Sequence, residues 1–224
     1  MELSPRGILT PLQSEFLERF FGHPNALFLS GGTALSEFYL GHRFSKDLDL
    51  FCVEDPAFAE GASLVERVSG EMGATLARVQ TAPTFRRYAL GREGKQIVVD
   101  LVLDAAYQAV PDKPLWKRIR VDSLRDITAN KLCTVLSRLE SRDYLDLYCL
   151  AKAGVSLDAA LPDAERKDGG MSKPMLALLM GRFRAMGMPD SLREPFSREE
   201  VERFFKELSE RWARESAPGQ SNSP

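Results

Sequence analysis

Residues 29–35 read LSGGTAL, and residues 43–51 read RFSKDLDLF. The first segment ends a short apolar run with a glycine pair and leads into a helix-like stretch, while the second is typical of a strand. Because side chains alternate between the two faces of a strand, Asp47 and Asp49 point the same way, and Leu48 and Leu50 point into a core. The two segments together predict a strand, a tight turn, a helix and a second strand that carries paired carboxylates.

The carboxylate pair and the glycine pair each predict a binding site. Two carboxylates on one rigid strand form a hard-cation site suited to Mg²⁺, which leaves room for substrate phosphates. The backbone at Gly31 and Gly32 can be approached closely by a phosphate, and free N–H groups open the helix that follows. Thr33 either adds a hydroxyl contact or caps this helix. We therefore expect a metal-dependent enzyme that acts on a nucleotide.

Asp100 is the one acid in the middle of the apolar strand predicted at 95–103. Burying a carboxylate without a partner costs several kcal/mol. A metal shared with Asp47 and Asp49 would supply a partner, since three carboxylates from adjacent strands fit a two-metal site for phosphate transfer. The alternative is an ion pair with Arg86 or Arg87, of which we favour Arg86.

Three cations, Lys131, Arg138 and Arg142, fall in one row if a single helix runs through them, since each residue turns the helix by ~100°. Such a row on an otherwise apolar helix favours a triphosphate clamp. The alternative is a solvated face paired with neighbouring acids. Apolar neighbours favour a buried ionic network, in which Asp143 and Asp146 hold the cations in place.

The segment before the acid pair offers two further candidates. Arg43 is expected either to contact the substrate or to lie in a solvated loop. Ser45 is expected to orient Asp47 through a hydrogen bond.

Composition narrows the class of protein. The chain has 224 residues, of which 44% are hydrophobic and 28% charged, as in ordinary globular proteins. A formal net charge of −2 argues against wrapping nucleic acid by bulk charge, although a local basic patch stays open. No apolar run approaches a membrane span. The three cysteines lack a CxxC spacing, and this favours reduced thiols and a cytoplasmic location.

Periodicity predicts a mixed α/β half followed by a helical half, with a catalytic core at 1–115, a helical domain at 116–215 and a disordered tail at 216–224. Strands are predicted at 26–30, 47–53, 74–80, 85–90 and 95–103, and helices at 11–22, 33–40, 56–72, 123–139, 142–153, 174–186 and 197–215.

The order of these motifs resembles the AbiEii/AbiGii toxin-type nucleotidyltransferases of the DNA polymerase β-like superfamily. The resemblance rests on residues 31–35, 43–51, 99–101 and 129–147. It implies an α+β fold with a mixed β-sheet core flanked by helices, and Mg²⁺ as cofactor, with two ions expected. It also implies transfer of a nucleotide from an NTP to an acceptor hydroxyl, with release of pyrophosphate.

The resemblance also implies residue roles. Asp47 and Asp49 match the metal pair, Asp100 the third carboxylate that helps position the acceptor hydroxyl, and Lys131 and Asp146 the downstream catalytic or NTP-binding positions. The full predicted nucleotide-binding set is Gly31, Gly32, Thr33, Lys131, Arg138 and Arg142. Ser45 and Asp143 are expected to hold residues of the site in place, and Arg43 and Arg86 are possible substrate contacts.

Proteins of this kind often act as toxins beside a cognate antitoxin, some of them on tRNA 3′ ends. The resemblance therefore implies a toxin of a type IV-like toxin–antitoxin system, with tRNA as acceptor and no membrane partner. Two alternatives stay open. One is nucleotidyl transfer to a small-molecule or protein hydroxyl, and the other is a non-catalytic module that keeps the fold and binds a partner.

Overall fold

A computed structural model describes residues 2–193 and 195–217, so most of the predicted tail, residues 218–224, lies outside the described residues. The chain divides into two compact units, one ending at Ile127 and the other beginning at Thr128.

A five-stranded sheet forms the centre of the first unit, with strand order β1-β2-β5-β4-β3. β2 and β5 run parallel, whereas the other neighbours are antiparallel, so the sheet is mixed as predicted. The strands are β1 (Phe28–Ser30), β2 (Asp47–Cys52), β3 (Thr75–Ala82), β4 (Phe85–Arg92) and β5 (Lys95–Leu103).

Helices α1 (Pro11–Phe20) and α3 (Asp55–Glu71) pack on each other and on β5. The N-terminus of α1 is fixed locally, since Thr10 and Gln13 form a reciprocal capping box. The leucines of β2 are fully buried and its aspartates half-buried, an alternation that confirms the two-faced strand predicted from sequence.

The glycine pair opens a short helix, α2 (Gly31–Leu35), which widens into a π-helical turn over Ser36–Leu40. A small hairpin of β6 (Leu115–Trp116) and β7 (Ile119–Arg120) follows the sheet and was not predicted, because two-residue strands leave no alternating pattern to detect.

The second unit is helical. An aromatic cluster of Tyr144, Phe183 and Phe205, with ring centroids 5.2–5.6 Å apart, forms part of its core. No helix of the described ranges is long and apolar enough to cross a membrane. The helices of the second unit are α4 (Leu124–Ser137, which begins in the first unit), α5 (Ser141–Lys152), α6 (Leu157–Lys167), α7 (Lys173–Met180) and α8 (Arg198–Glu215).

Three sequence expectations for the helices are corrected. The helix predicted at 123–139 ends at Ser137, and the one predicted at 174–186 is α-helical only to Met180 before a 3₁₀ turn over Gly181–Ala185. Helix α6 was missed, since it is short and contains Pro162, a residue that normally argues against a helix interior.

Candidate active site

One polar residue from each strand lies in a single row across the sheet. The register pairs Ser30 with Asp49, Asp49 with Asp100, Asp100 with Arg87, and Arg87 with Gln80. Residues directly opposite on paired strands project from the same face, so the row shares the face that carries Asp47. The sequence predicted the two aspartates of β2 on one face and Asp100 on an adjacent strand, and the register places Asp100 opposite Asp49.

Buried side chains fix the backbone on which the aspartates of β2 stand. The Thr33 hydroxyl donates to the carbonyl of Asp47 at 2.5 Å. The Gln13 amide donates to the carbonyls of Ser45 and Lys46, both at 3.1 Å. Thr33 therefore touches the backbone of the acid strand, and Ser45 contributes a backbone carbonyl to the same support.

The two glycines are required because charged side chains lie against them. Gly31 has φ +68°, and a Cβ there would lie 2.8 Å from the Cγ of Asp49. A Cβ on Gly32 would lie 3.2 Å from the Cζ of Arg43, whose side chain is buried rather than in a solvated loop. The glycine turn thus has a carboxylate against one residue and a guanidinium against the next.

Asp100 is held by Arg87. The Arg87 Nε donates to Oδ1 at 2.8 Å and its Nη2 to Oδ2 at 2.7 Å, a two-pronged ion pair in which the Asp100 side chain is 5% exposed and that of Arg87 39%. The hydrogen bond to Asp100 raises the pKa of Arg87, and the charges of Asp100, Asp47 and Asp49 add to this effect. Arg87 therefore lies in the field of all three carboxylates.

The preference for Arg86 as the neighbour of Asp100 is wrong. Arg86 is opposite Leu101 in the register and projects from the other face, where its guanidinium carbon lies 4.9 Å from the ring centroid of Phe58. A signal for the correct pairing exists in the sequence. Counting outwards from the two-residue turn that joins β4 to β5 pairs Arg92 with Lys95 and then Arg87 with Asp100.

The donor set suits a divalent cation at Asp47 and Asp49. Both are half-buried carboxylates on one face of one strand, and hard cations take such oxygen ligands. Among the described residues, no three acid, histidine or cysteine side chains stand together as a metal-binding group. Both oxygens of Asp100 accept hydrogen bonds from Arg87, so Asp100 as a metal ligand stays a prediction.

Sequence reasoning missed a buried ionic cluster behind the glycine turn. Lys113 donates to Asp122 at 2.7 Å and to Asp126 at 3.0 Å, and all three side chains are buried. Asp122 also accepts a hydrogen bond from the hydroxyl of Ser30 at 2.7 Å, and Asp126 accepts one from the backbone N–H of Ala109 at 2.7 Å. The cluster therefore ties the residue before the glycine turn to the loop that follows β5.

In the second unit, Lys131 forms the centre of another buried ionic cluster. Its Nζ lies 2.8 Å from Asp143 Oδ1 and 2.5 Å from Asp146 Oδ2. Arg138 adds a hydrogen bond from Nε to Asp143 Oδ2 at 2.9 Å. The predicted network, in which these two acids hold cations in place, is confirmed for Lys131 and Arg138.

The single helical row of cations is not formed, because the helix breaks between α4 and α5. Arg138 follows the end of α4, and Arg142 lies in the first turn of α5. The Nε of Arg142 lies 2.5 Å from Glu140, a half-exposed pair at the rim of the cluster. Lys131 is buried, whereas the side chains of Arg138 and Arg142 are partly exposed.

Comparison with known proteins supports the motif analysis. A family model described as the nucleotidyl transferase AbiEii toxin of a type IV toxin–antitoxin system matches residues 15–219. No curated protein sequence matches the chain.

Several solved structures are similar in fold. JHP933 from Helicobacter pylori has a TM-score of 0.61 and 19% identity, with 91% of this chain and 90% of that chain covered. The MenT4 nucleotidyltransferase toxin from Mycobacterium tuberculosis has a TM-score of 0.53 and 18% identity, with 90% and 85% covered. Because the family model covers most of its length, the chain belongs to the AbiEii nucleotidyltransferase toxin family of type IV toxin–antitoxin systems.

Proposed function

We propose that this nucleotidyltransferase uses Mg²⁺ to move a nucleotide from an NTP to a hydroxyl of tRNA. The observation that carries the proposal is the packing of the glycine turn against the acid strand, where Gly31 adjoins the carboxylate of Asp49 and Gly32 adjoins the guanidinium of Arg43. A backbone that a phosphate can approach thus lies beside both a cation-binding carboxylate and a fixed positive charge.

The residues of the first unit have separate proposed roles in binding the cation, the NTP and the acceptor. Asp47 and Asp49 would hold the divalent cation, which supplies charge neutralisation at the transferred phosphate and lowers the pKa of an acceptor hydroxyl. The backbone of Gly31 and Gly32 accommodates the NTP phosphates. Asp100 positions the acceptor hydroxyl and accepts its proton as the hydroxyl oxygen bonds to the α-phosphorus of the NTP. The bond from that phosphorus to the bridging oxygen breaks, and pyrophosphate leaves.

We assign the neutralisation of the triphosphate to Lys131, Arg138 and Arg142. The support is chemical: Arg138 is held in place by Asp143 while 44% of its side chain stays exposed, which suits a guanidinium that forks onto phosphate oxygens. Asp146 then acts by holding the ammonium group of Lys131 in place.

The acceptor is assigned from the family. Membership in a type IV toxin–antitoxin family implies an NTP substrate and a cognate antitoxin. We choose tRNA as the acceptor because the motifs resemble those of toxins that modify tRNA 3′ ends. An acceptor of this kind implies a cytoplasmic location.

The test incubates the protein with each α-labelled NTP, Mg²⁺ and total cellular RNA. We expect label on tRNA from at least one NTP, and no label with Asp49→Ala. Glu54→Gln is the matched control, since Glu54 is an exposed acid just beyond β2 whose side chain makes no capping bond. Label on protein, on a small molecule or on nothing would contradict the tRNA assignment.

A further inference from the structure

The hairpin of β6 and β7 has a strained turn. Two residues, Lys117 and Arg118, join its strands, and Lys117 has φ +53°. A two-residue turn with a positive φ only at its first position normally has glycine there, because a side chain strains this backbone conformation. The sequence therefore keeps a lysine where glycine would fit better, and such strain is often found at functional positions.

Both turn residues are exposed cations. The ammonium group of Lys117 lies 4.5 Å from the ring centroid of Trp116. Within the described ranges, neither Lys117 nor Arg118 forms an ion pair with an acid, whereas the exposed Arg78 is paired with Glu66 at 2.7 Å. The turn therefore presents two positive charges to solvent.

A groove of 520 Å³ lies beside this turn, and its volume is typical of a ligand site. Arg120 adds a third cation to its lining and donates to the backbone carbonyls of Leu27 and Asn25. No acid lines the groove in the part of the chain that the structure describes, but His23, which does, is hydrogen-bonded to Glu71. Three cations against this one adjoining carboxylate leave a net of two positive charges.

Apolar side chains complete the lining of the groove. Leu115 is 62% exposed next to the turn, and Phe21 and Pro24 also line the groove. Cations interspersed with apolar surface suit a chain of phosphates that carries sugars and bases. Nucleic acid therefore matches both the charge and the apolar part of the groove.

The hairpin is joined to the strand that leads into the glycine turn. Val121 forms a parallel bridge with Leu29, and the N–H of Asp122 donates to the Leu29 carbonyl at 2.8 Å. Arg118 lies three residues before Val121, and Gly31 lies two residues after Leu29. These five strand residues correspond to ~17 Å along the strand direction, a separation that a few nucleotides of RNA span.

We propose that the groove beside Lys117 and Arg118 docks the sugar-phosphate backbone of the acceptor RNA, away from its reacting end. Docking there raises the affinity for RNA and leaves the chemical step to the glycine turn and the row of carboxylates. The proposal rests on the RNA acceptor proposed above and adds a second point of contact to it.

The test measures binding and transfer separately, with the full-length protein and unfractionated tRNA. Lys117→Gln combined with Arg118→Gln should weaken the binding of fluorescently labelled tRNA about tenfold. The slope of log Kd against log salt concentration should fall by about 1.5, since each lost phosphate contact removes ~0.7–0.9 from it. In the transfer assay, the KM for tRNA should rise by a similar factor while the KM for the NTP stays constant.

The matched control is Arg67→Gln combined with Lys95→Gln. This variant removes two exposed cations from other parts of the first unit and changes the net charge by the same amount. We expect it to bind tRNA as the wild type does. An equal loss of affinity in the two double variants would overturn the proposal, because only the net charge would then matter.

A single variant separates the charge of Lys117 from the geometry of the turn. Lys117→Gly removes the charge and relieves the strain of the positive φ, so it should keep the Tm of the wild type and bind tRNA about threefold more weakly. Arg118→Lys keeps the charge and should bind tRNA as the wild type does. Unchanged tRNA affinity in Lys117→Gly would overturn the role of the lysine.

The remaining outcomes distinguish this proposal from the proposed function. Equal tRNA affinity in the wild type and the Lys117→Gln, Arg118→Gln variant overturns the docking site. Loss of antitoxin binding in that variant, with tRNA binding intact, also overturns it and assigns the groove to the protein partner. Transfer of label by the wild type to something other than tRNA contradicts the tRNA acceptor itself, while the binding assay still decides whether the groove docks RNA.

Discussion

The carboxylate of Asp49 fills the space that a side chain on Gly31 would need. A Cβ built on Gly31 lies 2.8 Å from the Cγ of Asp49, and the glycine has φ +68°. The turn and the acid strand are therefore mutually dependent, since the aspartate can adopt its position only beside a residue that has no side chain.

Replacing this glycine should damage the site as well as the backbone. Gly31→Ala strains a left-handed residue, at about 1–2 kcal/mol, and also displaces Asp49. Gly94→Ala is the matched control, because Gly94 has φ +73° with nothing near its Cβ position. We expect backbone strain to lower the free energy of unfolding by a similar amount in both variants. Only Gly31→Ala should lose further stability, and only Gly31→Ala should abolish nucleotidyl transfer. Equal activity in the two variants would contradict the packing argument.

Acid should destabilise the second unit through Asp143. Burial works to raise the pKa of Asp143, but the charges and hydrogen bonds of Lys131 and Arg138 outweigh it and hold this pKa below its ordinary value. A carboxyl with a depressed pKa contributes stability that is full above its unfolded pKa of about 3.9 and is lost as the pH falls through the folded pKa.

The corresponding variant is Asp143→Asn. We expect it to be less stable than the wild type at pH 7, and to lose less stability as the pH is lowered from about 4. Urea unfolding at a series of pH values measures both effects. Parallel pH profiles for the two proteins would show that Asp143 carries no depressed pKa.

The cluster behind the glycine turn should be essential for stability. Lys113→Met leaves Asp122 and Asp126 buried without their shared cation, which costs about 3–5 kcal/mol. Lys206→Met is the control, since Lys206 is an exposed lysine with a weak surface pair, and should change the free energy of unfolding by less than about 0.5 kcal/mol. Adding Asp126→Asn to Lys113→Met should recover part of the loss. Similar stability for the two lysine variants would argue against the cluster.

The proposed triphosphate contact of Arg138 should appear in the KM for the NTP. Arg138→Gln removes the guanidinium, while Asp143 keeps its contact with Lys131, so the fold is retained. We expect a rise of about tenfold in KM, or ~1.4 kcal/mol of binding. Arg198→Gln, which removes a partly exposed pair with Glu202 and a hydrogen bond to the carbonyl of Arg184, should leave KM unchanged. An unchanged KM in Arg138→Gln would remove this residue from the proposed clamp.

How far the sequence predicts this protein depends on the range of the interaction involved. The alternation around Asp47 and Asp49 is local, and the predicted face is confirmed. The pairing of Asp100 depends on the register of β4 and β5, and a shift of one residue in that register exchanges Arg87 for Arg86 opposite Asp100.

Ionic clusters are harder still to predict from the sequence. Lys113 falls in a proline-containing segment that reads as a loop, and its partners are defined only by the folded backbone. The break after α4 was predicted, but two residues too late, because the exact end of a helix leaves a weaker signal in the sequence than the apolar pattern inside it. The predicted roles of the site residues in catalysis and nucleotide binding remain to be tested by the variants above.

The parallel pairing of β2 with β5 has a consequence for folding during synthesis. Asp49 and Asp100 become neighbours only after α3, β3 and β4 have been made, since parallel strands need a crossover between them. A growing chain that has left the ribosome only as far as β2 carries the glycine turn and two acids but no third carboxylate and no arginine to hold it. The complete acid face therefore arises late in synthesis, only once β5 has been made and has paired with β2.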